Sequence, residues 1–169
     1  LARTDGHAVL PKGYIRQAVE TLRRTGAVNV GGIMDAVGST SVEQAIAAAM
    51  TSRLGVGGAA FHVGGPEGPA DSVYLGCFQR SALAAIGGYD EEFVRAQDWE
   101  LNMRLREAGG TIWFTPAMRV TYRPRDSFEG LARQYRDYGR WRRHIIRLNP
   151  ATLSLRYLAA PLAMIAVMT

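Results

Sequence analysis

The sequence predicts an α/β layered domain, in which amphipathic helices alternate with short apolar strands. Two observations predict this class. Apolar residues recur at helical spacing in several stretches, and β-prone runs such as AVNVGGIM and SVYLGCF lie between them. The 169 residues, 47% hydrophobic and 21% charged, suffice for one compact core and are typical of a globular protein.

The first elements alternate regularly along the chain. Residues 11–26 predict a helix with Ile15, Val19 and Leu22 on its apolar face and Gly26 as its stop. The run 27–34 predicts a buried strand. Residues 41–54 predict a second helix that opens with a capping box of Ser41 and Gln44, and a glycine-rich loop over residues 54–72 follows it.

The second half continues the alternation. Residues 72–78 predict a strand in which Cys77, the single cysteine, is a small buried apolar residue without a chemical role. A short helix from Ser81 ends at the pair Gly87-Gly88, and a further helix begins near Asp98. Since one cysteine cannot form an internal disulfide, a reducing compartment is expected.

The last predicted elements are two short strands separated by Pro116 and a long helix over residues 126–148, capped by Asp126 with Glu129. Arginines fill most of that helix. Its predicted apolar face comprises Phe128, Leu131, Tyr135, Tyr138 and Ile145.

The net charge of +5 is unevenly distributed. Residues 1–118 carry 10 basic and 12 acidic side chains, whereas residues 119–169 carry 10 arginines and three acidic side chains. A basic segment of this kind serves an anionic substrate, a nucleic acid or an anionic membrane surface. The net acidic remainder and the lack of a recognisable binding module argue against nucleic acid.

The run 157–168, YLAAPLAMIAVM, is uncharged but shorter than the roughly 20 residues that a bilayer span needs. We expect residues 151–169 to be a juxtamembrane segment and the start of a membrane helix in a longer protein, with a core helix as the open alternative.

The stretch AQDWELNMRLREAGG, residues 96–110, raises the question of what Asp98 does. In the first turn of a helix a carboxylate is favoured by the helix dipole, by about 0.3–1 kcal/mol, and needs no further role. Glu100 and Arg104 are spaced for a solvated ion pair along the same helix.

The pattern from Gly87 to Leu105 is more specific: a glycine pair, an aromatic, Asp-Glu, then Gln-Asp-Trp-Glu-Leu-x-x-Arg-Leu. It resembles the family 2 glycosyltransferases, particularly the succinoglycan-type exopolysaccharide glucosyltransferases. The resemblance implies a GT-A-type fold, of which residues 1–150 would be the C-terminal, acceptor-side part, without the N-terminal nucleotide-binding part.

The resemblance assigns Asp98 as the general base that deprotonates the acceptor hydroxyl, although Gln97 stands where the family has glutamate. It also aligns Asp5-Gly6-His7 with the family's D-x-D motif. Asp5 is then a ligand of Mg²⁺ or Mn²⁺, with His7 assisting, although imidazole is not a usual Mg²⁺ ligand. Without the resemblance, Asp-Gly-His is typical of a turn.

A third element resembles the family's Q-x-x-R-W motif with looser spacing. It implies that Gln134, Arg140 and Trp141 line the site, Arg140 near the donor diphosphate and Trp141 against the acceptor sugar. The alternative is a basic amphipathic helix on an anionic membrane. Gly76 is a candidate for close approach of the acceptor, although packing explains a strand glycine equally well.

The predicted function is metal-dependent, inverting transfer of a sugar, by expectation from a UDP-hexose, to a lipid-linked or polysaccharide hydroxyl at the cytoplasmic side of a bacterial inner membrane. A membrane-associated, non-catalytic scaffold built on the arginine-rich helix is the rival. The isolated chain is expected to be inactive.

Overall fold

The computed structural model describes residues 1–6, 8–56, 58–93, 95–148 and 150; the predicted ligand His7 and the predicted membrane segment 151–169 lie outside these ranges. In chain order the elements are β1 (Ala8–Val9), α1 (Tyr14–Thr25), β2 (Asn29–Ala36), α2 (Ser41–Thr51), α3 (Arg53–Val56), α4 (Ala60–Val63), β3 (Gly68–Pro69), β4 (Tyr74–Phe78), α5 (Arg80–Ala85), α6 (Gln97–Glu107), β5 (Ile112–Tyr122) and α7 (Phe128–Leu148).

The strands form one mixed sheet in the order β1-β5-β2-β4, with β3 also paired to β5. β2 and β5 run parallel, and every other pairing is antiparallel. The N-terminal segment joins this sheet through a bridge between Ala2 and Cys77. This mixed α/β architecture agrees with the predicted class, and Cys77 is buried as expected.

The core lies on both faces of the sheet. Tyr14 and Ala18 of α1 pack with Leu75 of β4 on one face. Leu101 of α6 packs with Phe114 of β5 in a second cluster. Since side chains alternate between the two faces of a strand, α1 and α6 lie on opposite sides of the sheet.

The predicted apolar faces of α1 and α7 are wrong for some residues and confirmed for others. Of the three residues predicted on α1, Leu22 packs partly buried against the core. On α1, Ile15 is 49% and Val19 39% exposed, while Tyr14, Ala18 and Thr21 are buried. Both sets have helical spacing, so periodicity alone does not select the buried one; contacts with the sheet do.

On α7 the predicted apolar residues Phe128, Tyr135 and Tyr138 are exposed, and Ile145 is buried. The helix also begins at Phe128 rather than at Asp126. The Ser127 hydroxyl, not the Asp126 carboxylate, accepts a hydrogen bond from the backbone N–H of Gly130.

Two helix starts differ from prediction by about one residue. The capping box of α2 is formed by Thr40 and Glu43, whose N–H donates to the Thr40 hydroxyl over 3.2 Å, and not by Ser41 and Gln44. α5 begins at Arg80 without a side-chain cap. Either of two adjacent hydroxyl residues can serve as the first cap, so the sequence leaves such a choice open.

β5 is one strand and not the two predicted around Pro116. Its register against β2 shifts between Gly31 and Ile33, which face Phe114 and Arg119 respectively. Pro116 therefore lies in an irregularity of the ladder, where the missing N–H leaves no pairing unsatisfied.

The predicted loop over residues 54–72 contains α4 and β3 as well as turns. Within the described ranges, every helix falls short of the length or the apolar content that a bilayer crossing requires.

Candidate functional site

An open cavity of about 1490 Å³ collects residues from the N-terminal segment, the start of α6, the end of β5 and α7. Three predicted site residues line it: Asp5, Asp98 and Gln134. The described lining residues do not include Gly76, Arg140 or Trp141. The fold therefore brings together the two predicted functional carboxylates and one polar residue of α7.

Asp98 lies in the first turn of α6, which begins at Gln97. The turn is entered through Ala96 in the left-handed conformation, φ 61°, which is uncommon for a residue with a side chain. The Asp98 carboxylate is 39% exposed, pairs with Arg3, and accepts a hydrogen bond from the Tyr89 hydroxyl at 3.4 Å. The positive end of the helix dipole and the Arg3 guanidinium both lie beside this carboxylate.

Arg3 joins the two carboxylates. Its Nη2 lies 3.2 Å from Asp5 Oδ1 and its Nη1 pairs with Asp98, while its guanidinium stands 5.6 Å from the centre of the Tyr89 ring. Arg3 was not among the site residues predicted from the sequence. One signal was available: in an extended segment, residues two apart point to the same side, so Arg3 shares the side of Asp5.

The Tyr89 turn is held by α6 itself. Arg104 donates to the backbone carbonyls of Ile86 and Gly88, each at 2.8 Å, and forms a two-pronged ion pair with Glu100. The predicted pairing of Glu100 with Arg104 is confirmed, but its solvation is wrong, because Glu100 is only 5% exposed. The hydrogen bond to the Glu100 carboxylate raises the pKa of Arg104.

A row of hydrogen-bonded polar side chains holds the side of α6 opposite to Glu100. Asn29 Nδ2 of β2 donates to Asn102 Oδ1 at 2.7 Å, and Asn102 Nδ2 donates to the Ser72 hydroxyl at 3.0 Å. Gly76 lies beside this row, since a Cβ there would collide with the Asn29 amide. In the structure Gly76 thus makes room for Asn29, and it lies away from the cavity.

Of the residues predicted on α7, Gln134 lines the cavity, whereas Arg140 and Trp141 are not among its described lining residues. Gln134 Oε1 accepts from Arg125 Nε at 2.7 Å, and Arg142 stands 4.8 Å above the Trp99 ring, next to Asp98. Trp141 packs against Phe93, with ring centres 6.0 Å apart, and Arg140 is exposed. Arg142 is thus the arginine of this predicted motif region that lines the cavity.

The charge of the cavity is dominated by arginine. Asp5, Asp71 and Asp98 are its described acidic lining residues. Five arginines line it as well, namely Arg3, Arg95, Arg106, Arg125 and Arg142. A cavity with this excess of guanidinium groups suits an anionic ligand, and guanidinium forks match phosphate oxygens in particular.

A divalent cation at Asp5 fits the chemistry of the donors present. Among the residues that the structure describes, no group of three or more His, Cys, Asp and Glu side chains could hold a metal ion. Mg²⁺, however, commonly takes one or two carboxylates and completes its shell with water and substrate phosphate oxygens. One carboxylate, Asp5, in a cavity lined by arginines is compatible with that mode.

Comparison with known proteins adds one relative. The chain is 37% identical over 142 residues to "Succinoglycan biosynthesis protein ExoA" of Rhizobium meliloti (strain 1021). The alignment covers 84% of this chain and 43% of the relative, so the chain spans less than half the length of the curated protein it matches. No family model matches the chain. The chain is therefore similar to a protein of exopolysaccharide biosynthesis.

Proposed function

We propose that this chain is the acceptor-side part of a family 2, GT-A-type glycosyltransferase of exopolysaccharide synthesis. The observation that carries the proposal is the shared guanidinium of Arg3, which brings Asp98 and Asp5 into one cavity from segments far apart in the chain. The similarity to a succinoglycan biosynthesis protein supports the same conclusion independently of the geometry.

In the proposed reaction an acceptor hydroxyl oxygen attacks the anomeric carbon of a nucleotide-sugar. The bond from that carbon to the diphosphate oxygen breaks, its electron pair leaves with the diphosphate, and the configuration inverts. The hydroxyl proton passes to Asp98. A positioned general base typically accelerates such a reaction about 10²–10⁴-fold. Tyr89 and Arg3 hold the Asp98 carboxylate for this step.

The remaining charged residues would hold the donor. Asp5 would bind Mg²⁺ or Mn²⁺, and a bound cation would supply neutralisation of the diphosphate charge. Arg142, which stands above Trp99 at the start of α6 and lines the cavity, would bind a diphosphate oxygen. Arg3 would then change partners, because a cation competes with it for Asp5.

Donor, acceptor and location complete the proposal. We propose a UDP-hexose donor and a lipid-linked or polysaccharide acceptor. We also propose that the enzyme acts at the cytoplasmic side of a bacterial inner membrane. The arginine-rich surface of α7 supports contact with anionic lipid, since most of its arginines are exposed, as is the ring of Phe128 at the start of the helix.

The test is nucleotide release by the complete natural protein that carries this chain, in membranes, with a panel of UDP-sugars and Mg²⁺ or Mn²⁺. Asp98→Asn keeps the shape of the side chain but removes its basicity, so we expect turnover to fall at least about 10²-fold. Glu107→Gln is the matched control: it removes one charge from the exposed, C-terminal end of the same helix.

A wild-type protein that turns over no sugar, or an Asp98→Asn variant as active as Glu107→Gln, would contradict the proposal. Vesicle binding that nucleotide-sugar does not alter would then favour the non-catalytic scaffold on α7.

A further inference from the structure

Four tyrosines from separate parts of the chain meet along one side of the cavity, and the proposed reaction does not use them. Tyr74 is in β4, Tyr122 ends β5, and Tyr135 and Tyr138 are on α7. We call them the tyrosine cluster. Tyr135 and Tyr138 are 47% and 48% exposed, although the spacing of α7 predicted them to be core residues.

Tyr122 is buried, at 6% exposure, so the accessible rings of the cluster are mainly those of Tyr135 and Tyr138. Tyr74 and Tyr122 meet edge to face with ring centres 6.2 Å apart, and Tyr135 and Tyr138 meet at 6.1 Å with an interplanar angle of 64°. Because an edge covers little of the ring that it touches, the exposed pair of Tyr135 and Tyr138 leaves aromatic face available to a third partner.

Hydrogen-bonding groups frame these rings. Arg125 donates to Gln134, and Gln134 Nε2 donates to the Tyr138 hydroxyl at 2.9 Å. That hydroxyl still has its own proton to donate. The hydroxyl of Tyr74 is buried with no hydrogen-bond partner among the described residues, and buried polar groups of this kind usually acquire one.

A saccharide ring matches this combination. A hexopyranose presents C–H groups on its faces, which pack on aromatic rings, and hydroxyls around its rim, which need donors and acceptors. An acyl chain would leave the buried Tyr74 hydroxyl without a hydrogen-bond partner among the described residues. A phosphate group would use Arg125 but not the aromatic faces.

We propose that the tyrosine cluster, with Gln134 and Arg125, binds the acceptor hexose ring and presents its hydroxyl towards Asp98. The inference rests on the proposed function for the identity of the acceptor, and it replaces Trp141, which packs on Phe93, as the aromatic contact of that sugar. Binding of the ring itself requires no turnover, so it can be tested separately.

The first experiment measures saturation-transfer NMR of methyl β-D-glucopyranoside and methyl β-D-galactopyranoside with the complete protein. We expect transfer to the ring protons of at least one glycoside. Tyr135→Ala and Tyr138→Ala are each expected to weaken its apparent affinity about 2- to 10-fold, the range that corresponds to one aromatic contact. Phe128→Ala is the control, since Phe128 is a 63% exposed aromatic of the same helix outside the cavity lining.

The binding result separates this inference from the proposed function. Glycoside binding that persists in Asp98→Asn but weakens in the tyrosine variants supports the inference, whether or not any donor is turned over. Absence of glycoside binding to the wild type overturns it. Equal affinities of wild type, Tyr135→Ala and Tyr138→Ala also overturn it.

A kinetic measurement follows where a donor is turned over. In Tyr138→Phe, which keeps the ring and removes the hydroxyl, we expect the acceptor KM to rise while the donor KM and the hydrolysis of the donor by water stay unchanged. A general defect of folding would instead lower sugar transfer and donor hydrolysis together. That result would contradict a role in acceptor binding.

Discussion

α6 and α7 are both rich in charged side chains, but they use them in opposite ways. On α6, Glu100 is 5% exposed, and its partner Arg104 also binds two backbone carbonyls. On α7, Arg133 and Glu129 form an ion pair at 2.8 Å with the same spacing, yet their side chains are 64% and 85% exposed.

The buried polar groups of α6 position Asp98, whereas the exposed groups of α7 are available to bind a ligand. The polar groups of α6 are satisfied by the Gly88 turn and by β2, so the fold fixes where Asp98 stands. The polar and aromatic groups of α7 face solvent and the cavity, where a substrate can reach them. Opposite charges at the same spacing therefore form a structural ion pair where they are buried and a weak surface pair where they are exposed.

The largest expected effect comes from breaking the buried pair. Arg104→Leu leaves the Glu100 carboxylate buried without its partner, so we expect a loss of about 3–5 kcal/mol in the free energy of unfolding. The matched change on α7, Arg133→Leu, should cost less than about 1 kcal/mol. Urea unfolding of both variants measures the two values, and similar losses would show that the two helices do not differ in this way.

The buried amide pair gives the next effect. Asn102→Ala leaves the Asn29 amide without its acceptor, and we expect a loss of about 1–3 kcal/mol. Because Asn29→Ala removes the same hydrogen bond, the double variant should lose less than the sum of the two single losses. Strict additivity, measured by the same unfolding experiment, would mean that the two amides contribute independently.

The smallest expected effect is on the pH dependence of stability. It concerns His62, in α4 beside the cavity, with the exposed His144 of α7 as the comparison. Burial lowers the pKa of His62 to about 4. The folded state therefore resists protonation of His62: its contribution to stability is present above about pH 6.5 and is lost as the pH falls towards 4.

Between pH 7 and pH 5 the His62 contribution should fall by about 1–2 kcal/mol, given its lowered pKa. His62→Phe should remove this part of the pH dependence, and His144→Gln should retain it. Unfolding free energies measured across that range test the prediction. An unchanged pH dependence in His62→Phe would contradict the lowered pKa of His62.

Several local features were predictable from the sequence. Gly26 ends α1 and Gly87-Gly88 end α5, all with positive φ, because glycine is favoured where the chain must turn into the left-handed region. Asp98 was expected at a helix start and lies there. Arg3, Arg142 and the tyrosine cluster were missed, since each reaches the cavity only through contacts between distant segments.

By itself, the sequence determined the α/β class, most helix and strand positions, the buried Cys77 and the first-turn place of Asp98. These depend on periodicity and on preferences within a few residues of each position. The tertiary structure alone decided that Ile15 and Tyr138 are exposed, that Glu100 is buried, and that Arg3 joins Asp5 to Asp98. Such outcomes depend on which surfaces meet after the chain has folded. The spacing of residues along the chain does not specify which surface each residue will contact.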